Sequence, residues 1–574
     1  MNAPRPQFAG APDGWASLGE AQARWEKETR APYLAANPER EALCTQAMRW
    51  PVEPLYTPRD LEAAGFDYLT DLGFPGQYPF TRGTSPNGHR SRLWTMTQVT
   101  GFGRGEDWAK RARFMLEQGL QGLILEYDLP TTNGYDSDDP LVAGEVGRAG
   151  MALDSLQDLE RALDLPFEKL RYLMSVCNAP QPVNLAMLIA ALEGKGVDLG
   201  TFGLSIVNGI LIEYTCVGRY IYPPEHGLRI ATDCFEYIIR HHPNWAPISI
   251  ISAQLQPAKA TPVQEIAFSL SIAMAYIDAL LARGLDIDTV APYFHFVINV
   301  DMDFFEGICK LRTYRKLWAR LMKERYGASR PQAMQIRTLT SPTTTALTLQ
   351  QPLNNIGRLA IMATACALGG AGETMSTPLH DEAHALPAEQ AIRVGAAIQH
   401  IVAHETGVAD TIDPLAGSYY VETLTRRMED AARAEIERIT ALGGALQAIE
   451  TGYFQRALGR EQYQRNREIE EGRRKWVGVN HLVLPEERRE LRIFRLDERI
   501  ENEQVARVRA LRAHRDAARV AGCLEAVRRA ARDGANLVPP CLEAVRAYAT
   551  HGEICAAMRD VFGVYTPDSQ LAGV

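Results

Sequence analysis

The stretch LWTMTQVTGFGRGEDWAKRARFMLEQGLQGLILEYDL, residues 93–129, carries the fold in miniature. Residues 93–101 form a β-rich run, residues 106–118 a helix-like run and residues 122–129 a second β-rich run. Two strands joined through a helix are the repeating unit of a parallel sheet.

The rhythm continues outward from there. Further β-rich runs are expected at 171–178, 202–208, 247–254, 294–300, 333–340 and 366–375. Helix-like stretches lie between them at 156–163, 184–192, 228–241, 263–281, 303–324 and 355–364, and the last β-run is followed by 388–404. Eight β-runs, each followed by a helix, predict an α/β fold of the (β/α)8 barrel type. The barrel is expected over residues 51–455, after an N-terminal arm of residues 1–50 that is rich in Pro, Arg and Glu. From about residue 456 to 574 strand signals vanish. Arg/Glu-rich patterns at 465–475 and 486–519 predict a helical C-terminal extension whose charges are solvated faces.

The expected strands are too polar for a filled barrel, which wants Val, Ile and Leu inside. Thr95, Thr97 and Val99 share one strand face, Ser252 and Gln254 another, His295, Val297 and Asn299 a third, and Thr338 and Thr340 a fourth. Facing outward they would meet the helix layer without evident partners, which is costly. The inward reading is preferred: a barrel that holds a polar ligand or water.

Composition narrows the function. The 574 residues are 46% hydrophobic and 23% charged, with a formal net charge of −9, so no basic surface invites nucleic acid or anionic lipid. The nine cysteines are scattered, with no CxxC pair and no Cys/His cluster at metal-binding spacing, which predicts a reduced, cytoplasmic protein without a metal centre of its own. The N-terminus lacks the apolar core of a signal peptide. The apolar stretches near 272–282 and 359–372 read as buried helices rather than membrane spans.

Ordered motifs then carry a resemblance. They are YPFTRG (78–83), Trp94-Thr95, GYDSD (134–138), GEVGRAGMALDS (144–155), YIYPPE (220–225) and LDIDTVAP (285–292). DEAHALP (381–387), ETG (405–407) and IDPLAGSYYVE (412–422) complete the series. In this order and spacing the chain, over roughly residues 25–470, resembles the methylmalonyl-CoA mutase family and its isobutyryl-, 2-hydroxyisobutyryl- and ethylmalonyl-CoA relatives. The resemblance implies a barrel opened along its axis, threaded by the pantetheine of an acyl-CoA, with the thioester meeting adenosylcobalamin at the C-terminal mouth of the strands. The cofactor supplies radical chemistry for a 1,2-rearrangement of the acyl group. Family members that carry their own cobalamin contain D-x-H-x-x-G, and no such hexapeptide occurs here. The expected partner is therefore a small cobalamin-binding subunit, in a heterodimer or heterotetramer.

The resemblance also implies site residues. Arg92, Thr95, Thr97 and Gln98 fall at acyl-CoA contacts, Arg92 suiting a CoA phosphate. His89, Asn208, Val217, His295 and Ser341 join them as substrate-binding candidates. Gln254, Val99 and Tyr127 are the candidates at the reacting end. Tyr127, Ala149, Cys216, Glu382, Ala385 and Leu386 fall where the family touches cobalamin or its adenosyl group. Plain alternatives stand beside these: a rim salt bridge for Arg92, a helix-terminal charge for Glu382, packing for Ala149 and Leu386, and turn chemistry for GYDSD.

Three departures bear on substrate. Val217 replaces the arginine that clamps the free carboxylate in methylmalonyl-CoA mutase, with Arg219 two residues on. Gln254 replaces a histidine near the thioester carbonyl; an amide can donate a hydrogen bond but cannot relay a proton near neutral pH. Val99 replaces an aromatic, and the loop 85–89 lacks the family's Tyr and Met. A larger, less cationic pocket argues against methylmalonyl-CoA. It favours a bulkier aryl- or alkyl-substituted malonyl/succinyl pair, with His89 or Arg219 as the clamp, or a neutral branched acyl-CoA. The 2-hydroxyisobutyryl-CoA mutases bring an Asp to the reacting centre, and Tyr127 is aligned with that position. The rival reading is a non-catalytic structural subunit of a heteromeric mutase.

Overall fold

The computed structural model describes residues 12–40, 43–384, 386–484, 497 and 499–567. The eight β-runs become β1 Thr95–Thr100, β2 Gly122–Glu126, β3 Tyr172–Val176, β4 Leu204–Val207, β5 Ile248–Ile250, β6 Phe294–Val300, β7 Arg337–Pro342 and β8 Thr374–Ser376. They pair in the order β4-β3-β2-β1-β8-β7-β6-β5, each ladder parallel. The two ends of that order meet through Ala246. Its N–H donates to the Leu204 carbonyl at 2.8 Å, and its carbonyl accepts from the Ile206 N–H at 3.0 Å. The result is a nearly closed (β/α)8 barrel, with its thinnest seam between β4 and β5.

A helix follows each strand, including Gly105–Glu117 after β1, Pro262–Ala282 after β5, Phe304–Arg320 after β6 and Glu389–Glu405 after β8. The main core lies between this ring and the outer face of the strands, around the fully buried Trp108, Phe268, Tyr314 and Trp318. Pro262–Ala282 is long and apolar enough to cross a membrane, yet 72% of its most apolar window is buried inside the protein.

Several expected boundaries move for local reasons. The run 366–375 is not one strand. Residues 366–368 end the helix Asn354–Leu368, and Gly370 and Gly372, both at positive φ, turn the chain into β8. Ala333 and Met334 belong to the short helix Pro331–Met334 rather than to β7. Strand β5 stops at Ile250, so Ser252 and Gln254 sit on a helical turn, Ser252–Leu255, at its C-terminal end.

The N-terminal arm is helical over Pro12–Trp25 and Ala31–Ala36. It is tied down further on: the Ala47 and Met48 N–H groups donate to Glu306, and Arg49 pairs with Glu461 and Glu468. Residues 1–11 and 41–42 of the arm lie outside the described residues. The C-terminal extension contains helices Tyr453–Glu470, Arg499–His514, Ala517–Asp533, Val538–Arg546 and His551–Phe562. Of the expected helical run 486–519, residues 486–496 and 498 lie outside the described residues.

The charges of that extension are not all solvated. Arg512 donates to Asp136 and Asp138, Gln504 donates to Asp154 and Asp158, and Asp136 also accepts from Thr550 and the Gly552 N–H. The GYDSD loop is thus the anchorage of the C-terminal helices, which absorbs a motif that sequence alone leaves as turn chemistry.

Candidate active site

Strand register fixes which side chains enter the barrel. Val99 pairs with Ile124, Ile124 with Met174, Glu126 with Val176, Ser249 with His295, Val297 with Leu339 and Asn299 with Ser341. With period two, these positions share the inner face. Ile124, Met174, Val176, Val207, Val297 and Leu339 form a small apolar cluster separate from the main core. Thr97, Ser205, Ser249 and His295 add polar groups; Ser249 bonds Ser205 at 2.9 Å and His295 Nδ1 at 3.1 Å. Burial pushes the His295 imidazole down to about 3, so it is neutral here. Thr338 and Thr340 are the exception to the inward reading. They lie on the outer face of β7, where Thr340 donates to the Ala371 carbonyl at 2.7 Å. That carbonyl is the partner that makes an outward hydroxyl tolerable.

Space remains at both ends of the lumen. A cavity of 610 Å³ at the C-terminal mouth is lined by Val99, Glu126, Ala149, Gln254, Ser341, Glu382 and Leu386, among others. At the N-terminal end, one cavity of 390 Å³ is lined by His89, Arg92, Thr95, Tyr172 and Arg337. An adjoining open pocket of 780 Å³ shares Arg92 and Arg171 with it and adds Lys195. Tyr172 and Met174 are successive inward residues of β3, and Arg337 and Leu339 of β7. In each pair the first lines the N-terminal cavity and the second the mouth. Only about 7 Å of strand separates them.

The expected site residues therefore divide. Val99, Gln254, Ser341, Ala149, Glu382 and Leu386 meet at the mouth. His89, Arg92 and Thr95 meet at the opposite end, about 13 Å down β1 from Val99. Thr97 and His295 belong to the buried inner wall between. The others face elsewhere. Gln98 points outward, its amide donating to the Ile392 carbonyl at 3.4 Å. Tyr127 is buried in the outer layer with its hydroxyl 3.1 Å from Ser175. Asn208 spends its amide on the carbonyls of Ala231 and Pro247. Cys216 lies behind Gln254, its thiol 3.5 Å from that residue's carbonyl, and Val217 ends the turn Glu213–Val217 outside the cavity lining. Ala385 lies outside the described residues.

One residue of register separates Tyr127 from the group that does face the mouth. On β2, Gly122, Ile124 and Glu126 point inward while Leu123, Leu125 and Tyr127 pack outward. Opposite Gly101, one inward position beyond the Val99–Ile124 pair, stands the carboxylate of Glu126. Burial pushes it up to about 7, opposed by Arg219. The Arg219 Nη1 lies 3.2 Å from Glu126 Oε1 and its Nη2 3.3 Å from Glu213 Oε1. Glu213, 1% exposed, also accepts from Asn178 and from Gln254 Nε2. Sequence reasoning missed Glu126 and Glu213. The alternation of GLILE, ending on an acid at the C-terminal end of a barrel strand, is the signal for the first; Glu213 leaves none.

On the β8 side of the mouth, Glu382 Oε1 accepts the Leu379 N–H at 2.8 Å, and burial pushes its carboxyl up to about 7. Among the described residues Thr377 Oγ1 and Gln254 Oε1 are buried without a hydrogen-bond partner, and both residues line the cavity. Orphaned polar atoms around an apolar wall fit a ligand that carries hydroxyls or amides, as a nucleoside and a pantetheine arm do.

These features define an α/β-barrel enzyme with ligand-sized space inside its strands and polar chemistry at the C-terminal mouth. The profile of the methylmalonyl-CoA mutase family matches residues 45–564, and the chain belongs to that family, whose members are adenosylcobalamin-dependent acyl-CoA mutases, a class of isomerase. The chain is 37% identical over 543 residues to the 2-hydroxyisobutanoyl-CoA mutase large subunit of Aquincola tertiaricarbonis, covering 94% of this chain and 96% of that one. It is 38% identical to the methylmalonyl-CoA mutases of Cereibacter sphaeroides and Rhizobium meliloti, covering 91% and 90% of this chain and 73% and 72% of theirs.

Proposed function

We propose that this chain is the acyl-CoA-binding large subunit of an adenosylcobalamin-dependent carbon-skeleton mutase, and that its acyl group is neutral, branched and hydroxylated. The carrying observation is Glu126, aimed into the mouth with its ion-pair partner, Arg219, already shared with Glu213. A carboxylate on the substrate would meet Glu126 at close range, and like charges there are unfavourable. A substrate hydroxyl instead finds an acceptor, in the orphaned Gln254 Oε1 as well as in Glu126. The bulkier dicarboxylic reading needed His89 or Arg219 as a clamp. His89 lines the other end of the barrel and Arg219 is engaged, so the geometry favours the neutral alternative.

The residues divide the work along the lumen. Arg92, Arg171 and Lys195 form no ion pair among the described residues, and they suit the phosphates of the CoA nucleotide. Thr97, Ser205, Ser249 and neutral His295 supply hydrogen bonds along the wall that the pantetheine would follow. Val99 leaves room for a branched acyl group. Glu382 and Thr377 suit the ribose hydroxyls of the adenosyl moiety. The cofactor, when bound, would supply radical chemistry for a 1,2-rearrangement of the acyl group. The protein's part is to orient the acyl group and exclude water.

The cofactor arrives on a small cobalamin-binding subunit. Coverage of 96% of a mutase large subunit supports that division. So do the exposed Leu129 and Leu141 after β2, and Leu349 and Leu353 after β7, on the mouth side of the barrel. Nine free thiols suit a cytoplasmic setting. The test is product analysis of this chain reconstituted with a cobalamin subunit and adenosylcobalamin. Isomerisation of 2-hydroxyisobutyryl-CoA ahead of isobutyryl- and methylmalonyl-CoA is expected. A preference for methylmalonyl-CoA would overturn the substrate reading, and inactivity of a loaded complex on every acyl-CoA would favour a structural subunit.

A further inference from the structure

The Arg219 guanidinium is fully committed, and the way it is committed is informative. Its Nε and Nη2 edge forks onto Glu213, at 3.4 and 3.3 Å. Glu213 is buried and held in turn by the Asn178 amide at 2.5 Å, so this half of the contact is fixed by the scaffold. The remaining donor, Nη1, carries Glu126 at 3.2 Å. Of the two carboxylates only Glu126 lines the mouth cavity, together with Arg219 itself. The other cation lining the mouth, Arg111, donates to the Pro387 carbonyl at 2.9 Å and stacks 4.9 Å from the Phe102 ring.

A guanidinium oriented from behind by a buried acid, with its free donor directed at an acceptor in the cavity, is built to grip a carboxylate. Here the carboxylate it grips belongs to the protein. We propose that Glu126 is an internal stand-in for a substrate carboxylate. It occupies a latent clamp on Arg219 and thereby excludes carboxylated acyl-CoAs from the site. This rests on the acyl-CoA reading above and extends it: specificity against dicarboxylic substrates resides in Glu126, and Glu213 is the positioning residue that keeps Arg219 ready. Neutralising Glu126 without changing its shape leaves a weaker, uncharged acceptor for Nη1 and removes the repulsive charge, so a carboxylate on the ligand can compete for that donor.

The experiment is equilibrium binding of isobutyryl-CoA and succinyl-CoA to the full-length chain by titration calorimetry, for wild type, E126Q and E126Q/R219Q. Wild type should prefer isobutyryl-CoA. E126Q should raise the ratio of succinyl-CoA to isobutyryl-CoA affinity roughly tenfold or more, the scale of one charged hydrogen bond, with its circular dichroism spectrum and melting temperature reporting an intact fold. The double variant should lose that gain. An unchanged succinyl-to-isobutyryl ratio in E126Q would overturn the proposal, as would a gain that survives loss of Arg219. If no CoA thioester binds the wild-type chain, the acyl-CoA reading fails first and the clamp falls with it.

Discussion

The two ends of the barrel use arginine in opposite ways. At the C-terminal mouth, Arg219 is held by two carboxylates within 3.3 Å. At the N-terminal end, Arg337 pairs with Glu373 and Arg82 with Asp413, but Arg92, Arg171 and Lys195 border one open pocket with no ion pair among the described residues. A cation that the scaffold has already neutralised cannot attract a charged ligand strongly, whereas three unpaired cations around one space can. The lumen is therefore polarised: anion-accepting at its N-terminal end, anion-rejecting at its C-terminal mouth.

The largest effect should come from erasing the N-terminal side of that contrast. Replacing Arg92, Arg171 and Lys195 together with Ala should weaken every CoA thioester by roughly 100-fold, irrespective of the acyl group. Dephospho-CoA should be affected less than CoA. Calorimetry on the variant checks this, and a loss that depended on the acyl group would break the division between the ends. At the other end, R219A leaves Glu126 and Glu213 without their shared counter-charge. That should cost about 2 kcal/mol of stability, less than a fully buried pair because the site opens to the cavity. Denaturant unfolding measures it, and an unchanged midpoint would mean that the cluster is not electrostatically coupled.

A smaller effect is a pH slope. Glu126 and Glu382 titrate near 7, above the usual carboxylate range, because burial disfavours their charge. The folded protein then holds protons that the unfolded chain has released. Their contribution to stability is full below about pH 4.5 and is lost as pH rises through about 7. The melting temperature should fall between pH 5 and pH 8, and E126Q should flatten part of that fall. A flat profile that E126Q leaves unchanged would mean that these carboxylates are ionised throughout.

Much of the fold was legible because period-two and helical patterns alternate so regularly from residue 93 onward. The misplaced strand starts at 333 and 366 share a cause. Apolar Ala, Met and Cys at the end of a helix look like the beginning of a buried strand, and only the turn glycines separate them. Of the residues the motifs single out, Val99, Ala149 and Glu382 fall together in the lining of the candidate site at the mouth. Tyr127, also singled out by its motif, lies in the outer core, one residue of register from the cavity. The sequence was silent at Glu213 and Arg171. Their roles depend on which strand ends the barrel closure brings together, and no local pattern records that.

The measurement that tests the polarised lumen most directly is a crystal structure of the chain with a bound acyl-CoA. The account predicts the nucleotide phosphates within ion-pair distance of Arg92, Arg171 and Lys195, and the acyl group between Val99, Glu126 and Gln254, with the Glu126–Arg219 contact intact. A nucleotide bound at the C-terminal mouth, or an acyl carboxylate paired with Arg219 in the presence of Glu126, would contradict it.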